Sequence, residues 1–375
     1  MSTCRKRGRR EKTFVTLFPD FTPVCFGKDN GMIPAIMQEK YGYKSMLICQ
    51  RKNVQNGLDQ NLHNLGLEYI DDQHSITYSS VLFLLKNARK IDVLNLYYLS
   101  LYSCFLFNLY KLINPSGIAY LKADLGYKTI IGHEQLEKWK VKVLSLLQKR
   151  IDIVSAESNE ICERYSRLFN REVVRIPNGF YRYSKETPCD KEKVLLTVAR
   201  LGTEPKATDV LLEAFARTAD KHDWKLRLVG PIEHNFQYEI KEYYNKYPEL
   251  KDRVDFPGNI TDKVELEKEY EQASIFVLPS RWEGFPLVLP EAIAKGCYLI
   301  VSDQVTPAKD LICNEKHGKI VPVDNIEELA DAIVQSIDAV SENNYKDEIM
   351  EFAKQFEWQN ICNDLDKLIK SKKKT

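Results

Sequence analysis

The sequence lacks most of the features that would commit it to a simple class. Its 375 residues carry 54 Lys and Arg against 53 Asp and Glu, a formal net charge of +1. The chain as a whole therefore has no cationic excess of the kind nucleic acid demands. No Cys-x-x-Cys pair occurs among its nine cysteines (Cys4, Cys25, Cys49, Cys104, Cys162, Cys189, Cys297, Cys313 and Cys362). Odd in number and scattered, they argue against a disulfide framework or a zinc site and for a reducing, cytoplasmic compartment. No secretory leader is read at the start, where a basic opening is followed only by a short apolar strand at Phe14–Phe18. A confident membrane span is missing too. Val93 to Tyr110 is free of charge but holds Asn95, Ser100, Ser103 and Asn108. It is expected to form a buried strand followed by a buried helix.

What is present is an ordinary globular composition, 44% hydrophobic and 29% charged, on a length that suits two domains. Charge gathers at the ends. Arg5, Lys6, Arg7, Arg9, Arg10 and Lys12 open the chain, and Lys370, Lys372, Lys373 and Lys374 close it. Such runs read as solvated ends, or as weak attraction to an anionic membrane surface at about 1 kcal/mol per basic residue near the lipid.

Apolar strand patterns alternate with helical ones. Strands are expected at Phe14–Phe18, Ser45–Cys49, Ile91–Leu96, Ile118–Leu121, Ile151–Ser155 and Val173–Ile176, with helices from about Gly31 to Tyr41 and at Glu157–Phe169. The rhythm restarts with strands at Lys193–Val198, Lys225–Val229, Val254–Phe256, Ile275–Leu278, Tyr298–Val301 and Lys319–Val321. Helices at Ala207–Ala219, Tyr238–Tyr247, Val264–Ala273, Leu287–Lys295 and Ile326–Ser341 separate them. β-then-α alternation predicts parallel sheets covered on both faces. Pro177-Asn178-Gly179 and the polar stretch Ser184–Lys191 form the natural linker. The expected organisation is α/β: a Rossmann-like domain at 1–183, a second at 184–343, and a helical segment at 344–375 whose Phe356 and Trp358 pack across the junction. A ligand belongs at the carboxyl ends of the strands.

Three segments carry chemistry. Ser280 to Gly296 follows an apolar strand, turns at Gly284, and enters a helix near Pro286 and Pro290. A helix start presents free N–H groups and the positive end of a dipole to an anion. Two carboxylates, Glu283 and Glu291, flank that point. They would repel a phosphate they touched but suit sugar and ribose hydroxyls. Arg200 and Lys206 stand after another strand, where two cations neutralise a diphosphate. Gly230-Pro231 and Gly258-Asn259 are turns that let a base or ribose approach the backbone, or ordinary turns. Hydroxyls at both ends and phosphate in the middle describe a nucleotide sugar.

The run Glu283, seven residues, Glu291, within Ser-x-x-Glu-Gly-Phe-Pro-x-Val-x-x-Glu-Ala-x-Ala-x-Gly, resembles the signature of retaining GT-B glycosyltransferases of the family 4 type, the glycosyl transferases group 1. The resemblance implies that Glu283 contacts the donor sugar and Glu291 the ribose. It implies that Arg200 and Lys206 bind the diphosphate. Gly284, Phe285, Pro286, Leu287 and Val288 would line the donor, and Gly258, Asn259 and Gly230 the nucleobase side. Ala199 and Ala207 depart from the family, which often has glycine there. In the first half, Gly27 and Gly31 fit a loop near the donor phosphates, and Lys28 an anionic acceptor. Asp124 stands where many members have histidine, to hydrogen-bond the transferred sugar or incoming hydroxyl, or simply to close a turn. His133 reads as a surface residue.

The implied protein is a metal-independent hexosyltransferase without cofactor, resembling members that assemble surface and capsular polysaccharide. Its donor is a UDP- or GDP-sugar and its acceptor a glycan or lipid-linked glycan. Peripheral membrane association is compatible with the sequence, nucleic acid is not expected, and the inner face of the membrane is the expected place. The competing readings are a non-catalytic nucleotide-sugar-binding scaffold, a nucleotide-sugar epimerase and a phosphorylase.

Overall fold

The computed structural model describes residues 11–54, 65–184 and 190–372. The basic residues before 11, Cys4, Cys189, Pro188, Lys373 and Lys374 lie outside the described residues.

The first half alternates β1 (Lys12–Leu17), α1 (Asp29–Tyr41), β2 (Tyr43–Gln50), β3 (Gly66–Ile70), α2 (Ile76–Asn87), β4 (Val93–Tyr97), α3 (Leu101–Ile113), β5 (Ile118–Lys122), α4 (Tyr127–Glu134), α5 (Lys138–Leu147), β6 (Ile153–Ala156), α6 (Asn159–Phe169) and β7 (Val174–Arg175). Its seven strands are ordered β3-β2-β1-β4-β5-β6-β7, and all pair in parallel. β4 and β5 are buried along their whole length, which is why they read as continuous apolar runs.

The second half runs β8 (Glu192–Val198), α7 (Thr208–Ala216), β9 (Lys225–Val229), α8 (Phe236–Lys246), β10 (Val254–Gly258), α9 (Lys263–Gln272), β11 (Ala273–Leu278), α10 (Val288–Ala294), β12 (Tyr298–Ser302), α11 (Ala308–Leu311), β13 (Gly318–Val321), α12 (Ile326–Glu342), α13 (Lys346–Ala353) and α14 (Trp358–Lys372). Its six strands are ordered β10-β9-β8-β11-β12-β13, again all parallel. Both orders reverse direction at the first strand of their half, the kind of switch point that opens a crevice at the strands' carboxyl ends.

The chain crosses between the halves twice, side by side. Phe180 N–H donates to Phe356 O at 3.0 Å and Trp358 N–H to Phe180 O at 3.2 Å. Gly179 sits against this second crossing, where a Cβ would lie 2.3 Å from Phe356 O, so only glycine fits. Beyond it, α14 returns to the first half. Trp358, Ile361, Leu365 and Ile369 join Met32, Ile33 and Ile36 of α1 in one core, and Tyr43 donates to Asp366 at 2.9 Å.

One expectation needs correction. Strand β4 is buried, but α3 is not: Leu101, Phe105 and Leu112 are exposed on one face while Cys104, Leu106, Phe107 and Tyr110 are buried on the other. The uncharged run therefore makes a half-buried helix with an apolar outer stripe. Among the described residues, no helix is long and apolar enough to cross a membrane.

Candidate functional site

A cavity of about 340 Å³ opens between the halves. Its first-half wall is the turn after β1, with Gly27 and Lys28. Its second-half wall comes from the ends of β8 and β9, the turn after β10, and the start of α10. Lys206, Gly230, Asn259, Leu287, Val288 and Glu291 all line it, as do Gly179 and Trp358 from the two crossings.

Local structure explains these positions. Gly230 has φ 139°, and a Cβ there would lie 1.8 Å from Ala199 O. The turns after β8 and β9 thus touch backbone to backbone, and glycine is obligatory. Ala207, where the family often has glycine, nonetheless adopts the left-handed conformation (φ 48°, ψ 41°) immediately before α7. The loop keeps a glycine-like path despite alanine's side chain, at an intrinsic cost of roughly 1–2 kcal/mol.

Arg281 ties the two ligand-facing loops together. Its guanidinium donates to Glu204 O at 2.9 Å and contacts Asp209 and Asp324 at 2.8 and 2.7 Å, while its amide donates to Pro205 O at 2.8 Å. Lys206 is thereby held beside Glu283, and the two form an ion pair that also receives a hydrogen bond from Ser280. Thr306 Oγ1 donates to Glu283 O at 2.8 Å, fixing the glutamate's backbone against the turn after β12. Glu283 stands behind Lys206 rather than on the cavity wall itself.

Glu291 is half-buried in the first turn of α10, and the Tyr270 hydroxyl donates to it at 3.0 Å. Burial pushes its carboxyl above the usual range, while Lys263, another wall residue, draws it down. A carboxylate held by one phenol in a cavity keeps acceptor capacity for hydroxyl groups of a ligand.

Several expected residues lie elsewhere. Arg200 does not reach the cavity: its side chain is 68% exposed and pairs with Glu233 at 2.7 Å, a nearer acid than any ligand-facing group. Gly31 is buried in α1, where a Cβ would lie 2.7 Å from Phe26 O, so it serves close packing and not the wall. Phe285 packs on the second-half core and Pro286 is buried. Gly258 ends β10 with φ 87° and passes the wall to Asn259. Gly284 faces the other half, its Cα 3.3 Å from where a Cβ on Gly126 would sit. The expected helix Leu287–Lys295 is shorter, Val288–Ala294. His133 is half-buried by Phe169, burial lowers its pKa, and it is absent from the cavity wall.

Asp124 is not among the residues lining the cavity, but Gly126, two residues on, meets Gly284 where the halves face each other. Tyr98 and Asp124 follow the adjacent strands β4 and β5, and both are left-handed, with φ 61° and 45°. Paired non-glycine residues in that region mark a site whose surroundings over-determine the backbone. Burial and then the charge of Asp124 push the Tyr98 phenol up.

Beneath Asp124 lies a buried ionic cluster that sequence reasoning missed. Lys122 is fully buried and donates to Glu157 at 2.9 Å and to Ile176 O at 2.9 Å. Glu157 in turn accepts from the Leu125 amide at 3.1 Å, so the cluster holds the Asp124 turn from below. Asp29, 4% exposed, stands 3.7 Å from Lys122 with one carboxylate oxygen unpartnered. Burial raises its pKa from 3.8 to about 7, against the pull of Lys122. The one sequence signal was a lysine ending the apolar strand Ile118–Lys122.

Among the described residues, no group of three or more His, Cys, Asp or Glu is placed to hold a metal ion. An Asp-x-Asp triplet, Asp364-Leu365-Asp366, does occur, but it sits in α14, where Asp366 is taken by Tyr43 and Lys370.

Residues 182–356 match the model of the family described as Glycosyl transferases group 1. The chain is 32% identical over 140 residues to an uncharacterized glycosyltransferase of Haemophilus influenzae, covering 37% of this chain and 38% of that one. It is 27% identical over 277 residues to the Campylobacter jejuni GalNAc-alpha-(1->4)-GalNAc-alpha-(1->3)-diNAcBac-PP-undecaprenol alpha-1,4-N-acetyl-D-galactosaminyltransferase, covering 68% and 72%. The matches span well under half the length of the first curated relatives, 38%, 16% and 44%. Among solved structures, the Anabaena protein HepE in complex with UDP superposes with TM-score 0.71 at 17% identity, over 96% of this chain and all of that one. The second half is therefore similar to the glycosyl transferases group 1, and the two halves together have the GT-B fold.

Proposed function

With a GT-B frame whose second half is similar to the glycosyl transferases group 1 as the premise, we propose that this protein transfers a hexose from a UDP- or GDP-sugar to a glycan or lipid-linked acceptor in polysaccharide assembly. Transfer retains the anomeric configuration and needs no metal ion. The observation that carries this reading is the cavity wall, which sets Lys206 and Glu291 in one cleft with Glu283 paired to Lys206.

The nucleoside lies against Gly230, Asn259 and Glu291, with Glu291 accepting from ribose hydroxyls. The diphosphate takes over Lys206. That releases Glu283 to accept from hydroxyls of the donor sugar, so the Lys206–Glu283 ion pair is exchanged for two ligand contacts. Arg200 joins only if it leaves Glu233. The bond from the anomeric carbon to the β-phosphate oxygen breaks as the acceptor oxygen bonds to the same face, and the acceptor proton passes to the leaving phosphate. Lys206 stabilises the charge that develops there. Asp124 orients the incoming hydroxyl or the transferred sugar from the first half. UDP bound by the Anabaena neighbour and the lipid-linked substrate named for the Campylobacter relative make uridine donors and lipid-linked acceptors the first to test.

Sugar release from a radiolabelled donor, with and without acceptor, tests the assignment. Lys206→Ala and Glu283→Gln are each expected to lower kcat by about 10²–10³ while the fold is kept. Unchanged turnover in both variants would remove the roles given to Lys206 and Glu283, while donor binding without turnover by the wild-type protein would leave a nucleotide-sugar-binding scaffold.

A further inference from the structure

Helices α2, α3 and α5 lie together on one face of the first half. Asn108 of α3 donates to Leu147 O of α5 at 2.8 Å, and Ser80 of α2 bonds Tyr102 of α3 at 2.7 Å. Their outer surfaces are apolar to an extent unusual for a solvated face. Leu101, Phe105 and Leu112 form a stripe on α3, at 65%, 50% and 65% exposure. Trp139, Val143 and Leu146 form a parallel stripe on α5, at 62%, 42% and 60%. The spacings of four and seven residues put each set on one side of its helix. Helix α5 has no fully buried residue.

The charge around these stripes is mostly of one sign, although Glu137, just before α5, accepts from the Trp139 indole at 3.1 Å and pairs with Lys140 at 2.8 Å. Residues 76–90, 101–113 and 138–150, which are the three helices with the turns that follow them, contain nine Lys and Arg and no Asp or Glu, in a chain where the two are balanced. Lys138, Lys140 and Lys142 flank Trp139 and Val143, and Lys149 and Arg150 follow at the helix end, all exposed. Lys142 and Lys149 also line a pocket with Arg171 at the edge of the face. Exposed Trp and Leu beside long basic side chains suit the interface of a bilayer, where rings sit among headgroups and ammonium groups reach anionic phosphate.

We propose that this face docks the protein on an anionic lipid surface, through the apolar stripes of α3 and α5 and the lysines around them. Resting on the transfer reading above, the inference also assigns the acceptor's entrance. The α3 stripe begins at Leu101, three residues after Tyr98, whose phenol stands beside Asp124 on the side of the first half that carries Gly126, which meets Gly284 of the other half. An acceptor carried on a lipid in the same bilayer arrives at that end of the face. The residues responsible are distinct from the basic chain ends.

Vesicle co-sedimentation of the full chain tests this. The protein is expected to bind vesicles of phosphatidylcholine with about one-third phosphatidylglycerol, to bind pure phosphatidylcholine at least ten-fold more weakly, and to be released by salt. Lys138→Glu/Lys142→Glu and, separately, Trp139→Ser/Leu146→Ser should each weaken binding at least ten-fold. Both variants should keep the wild-type thermal shift with nucleotide sugar, which shows that they fold and separates failure here from failure of the donor site. Absence of binding to anionic vesicles, or equal binding by wild type and both variants, would overturn the proposal. So would a dimer broken by the same variants without vesicle binding, which would assign the face to a second copy of the chain.

Discussion

At the scale of single residues, the cluster under Asp124 is the feature that sequence could not give. Charged side chains are almost always solvated, so Asp29, Lys122 and Glu157 individually read as surface groups. Only the fold shows one buried cation serving two buried carboxylates. By contrast, Glu283, Glu291 and Lys206 stood out as candidates because they flank strand–loop–helix passages and fit the pattern of the family the sequence resembles. Arg200 was legible as a cation but not as one already held by Glu233, a partner 33 residues away. The buried cluster makes a pH prediction. Between about pH 4 and 7 the native protein keeps a proton on Asp29 that the unfolded chain has released. The native state then binds more protons, and this group's contribution to stability falls as pH rises through that window. Asp29→Asn keeps the shape without the charge. Its melting temperature should vary less with pH from 4 to 7, with an advantage over wild type that grows toward neutral pH. An equal loss of stability at every pH would show that Asp29 acts through hydrogen bonding alone.

At the scale of elements, most strands were readable because parallel sheets buried on both faces are written as unbroken apolar runs. The exceptions have physical causes. Strand β3 is an edge strand with mostly exposed residues, so its apolar signal is diluted. Helix α5 begins Lys-Trp-Lys-Val-Lys-Val, an alternation that periodicity assigns to a strand, yet it folds as a helix lying on α3 and α6. The turn after β9 shows the converse, a local rule obeyed: glycine holds the positive φ that brings it against the turn after β8. Gly230→Ala would drive a Cβ into Ala199 O at a positive φ. It is expected to cost about 2–4 kcal/mol, summing overpacking and the left-handed penalty. Differential scanning fluorimetry should show a lowered melting temperature together with weakened nucleotide binding. A variant with wild-type stability would mean that the two turns are not locked together.

At the scale of the whole molecule, the chain crosses between the halves side by side at Phe180 and Glu357, and polar contacts bridge the cleft's rim. Asn159 donates to Asp310 at 2.8 and 2.7 Å, and Lys128 sits 3.3 Å over the Trp282 ring. Such contacts can break and re-form as the halves move, which suits a cleft that must admit a donor and then exclude water. The glycine at the first crossing was legible as Pro177-Asn178-Gly179, but the neighbour that demands it, Phe356, is 177 residues away in sequence and visible only in the fold. The central claim is that this cleft holds a nucleotide sugar through Glu291 and the wall around it. A thermal-shift titration with UDP- and GDP-sugars, with and without EDTA, measures that most directly. A donor at 100 times its dissociation constant adds about 2.7 kcal/mol to the stability of the bound form. The account predicts a shift with one nucleotide family that survives EDTA and disappears in Glu291→Ala, while no shift with any nucleotide sugar would contradict it.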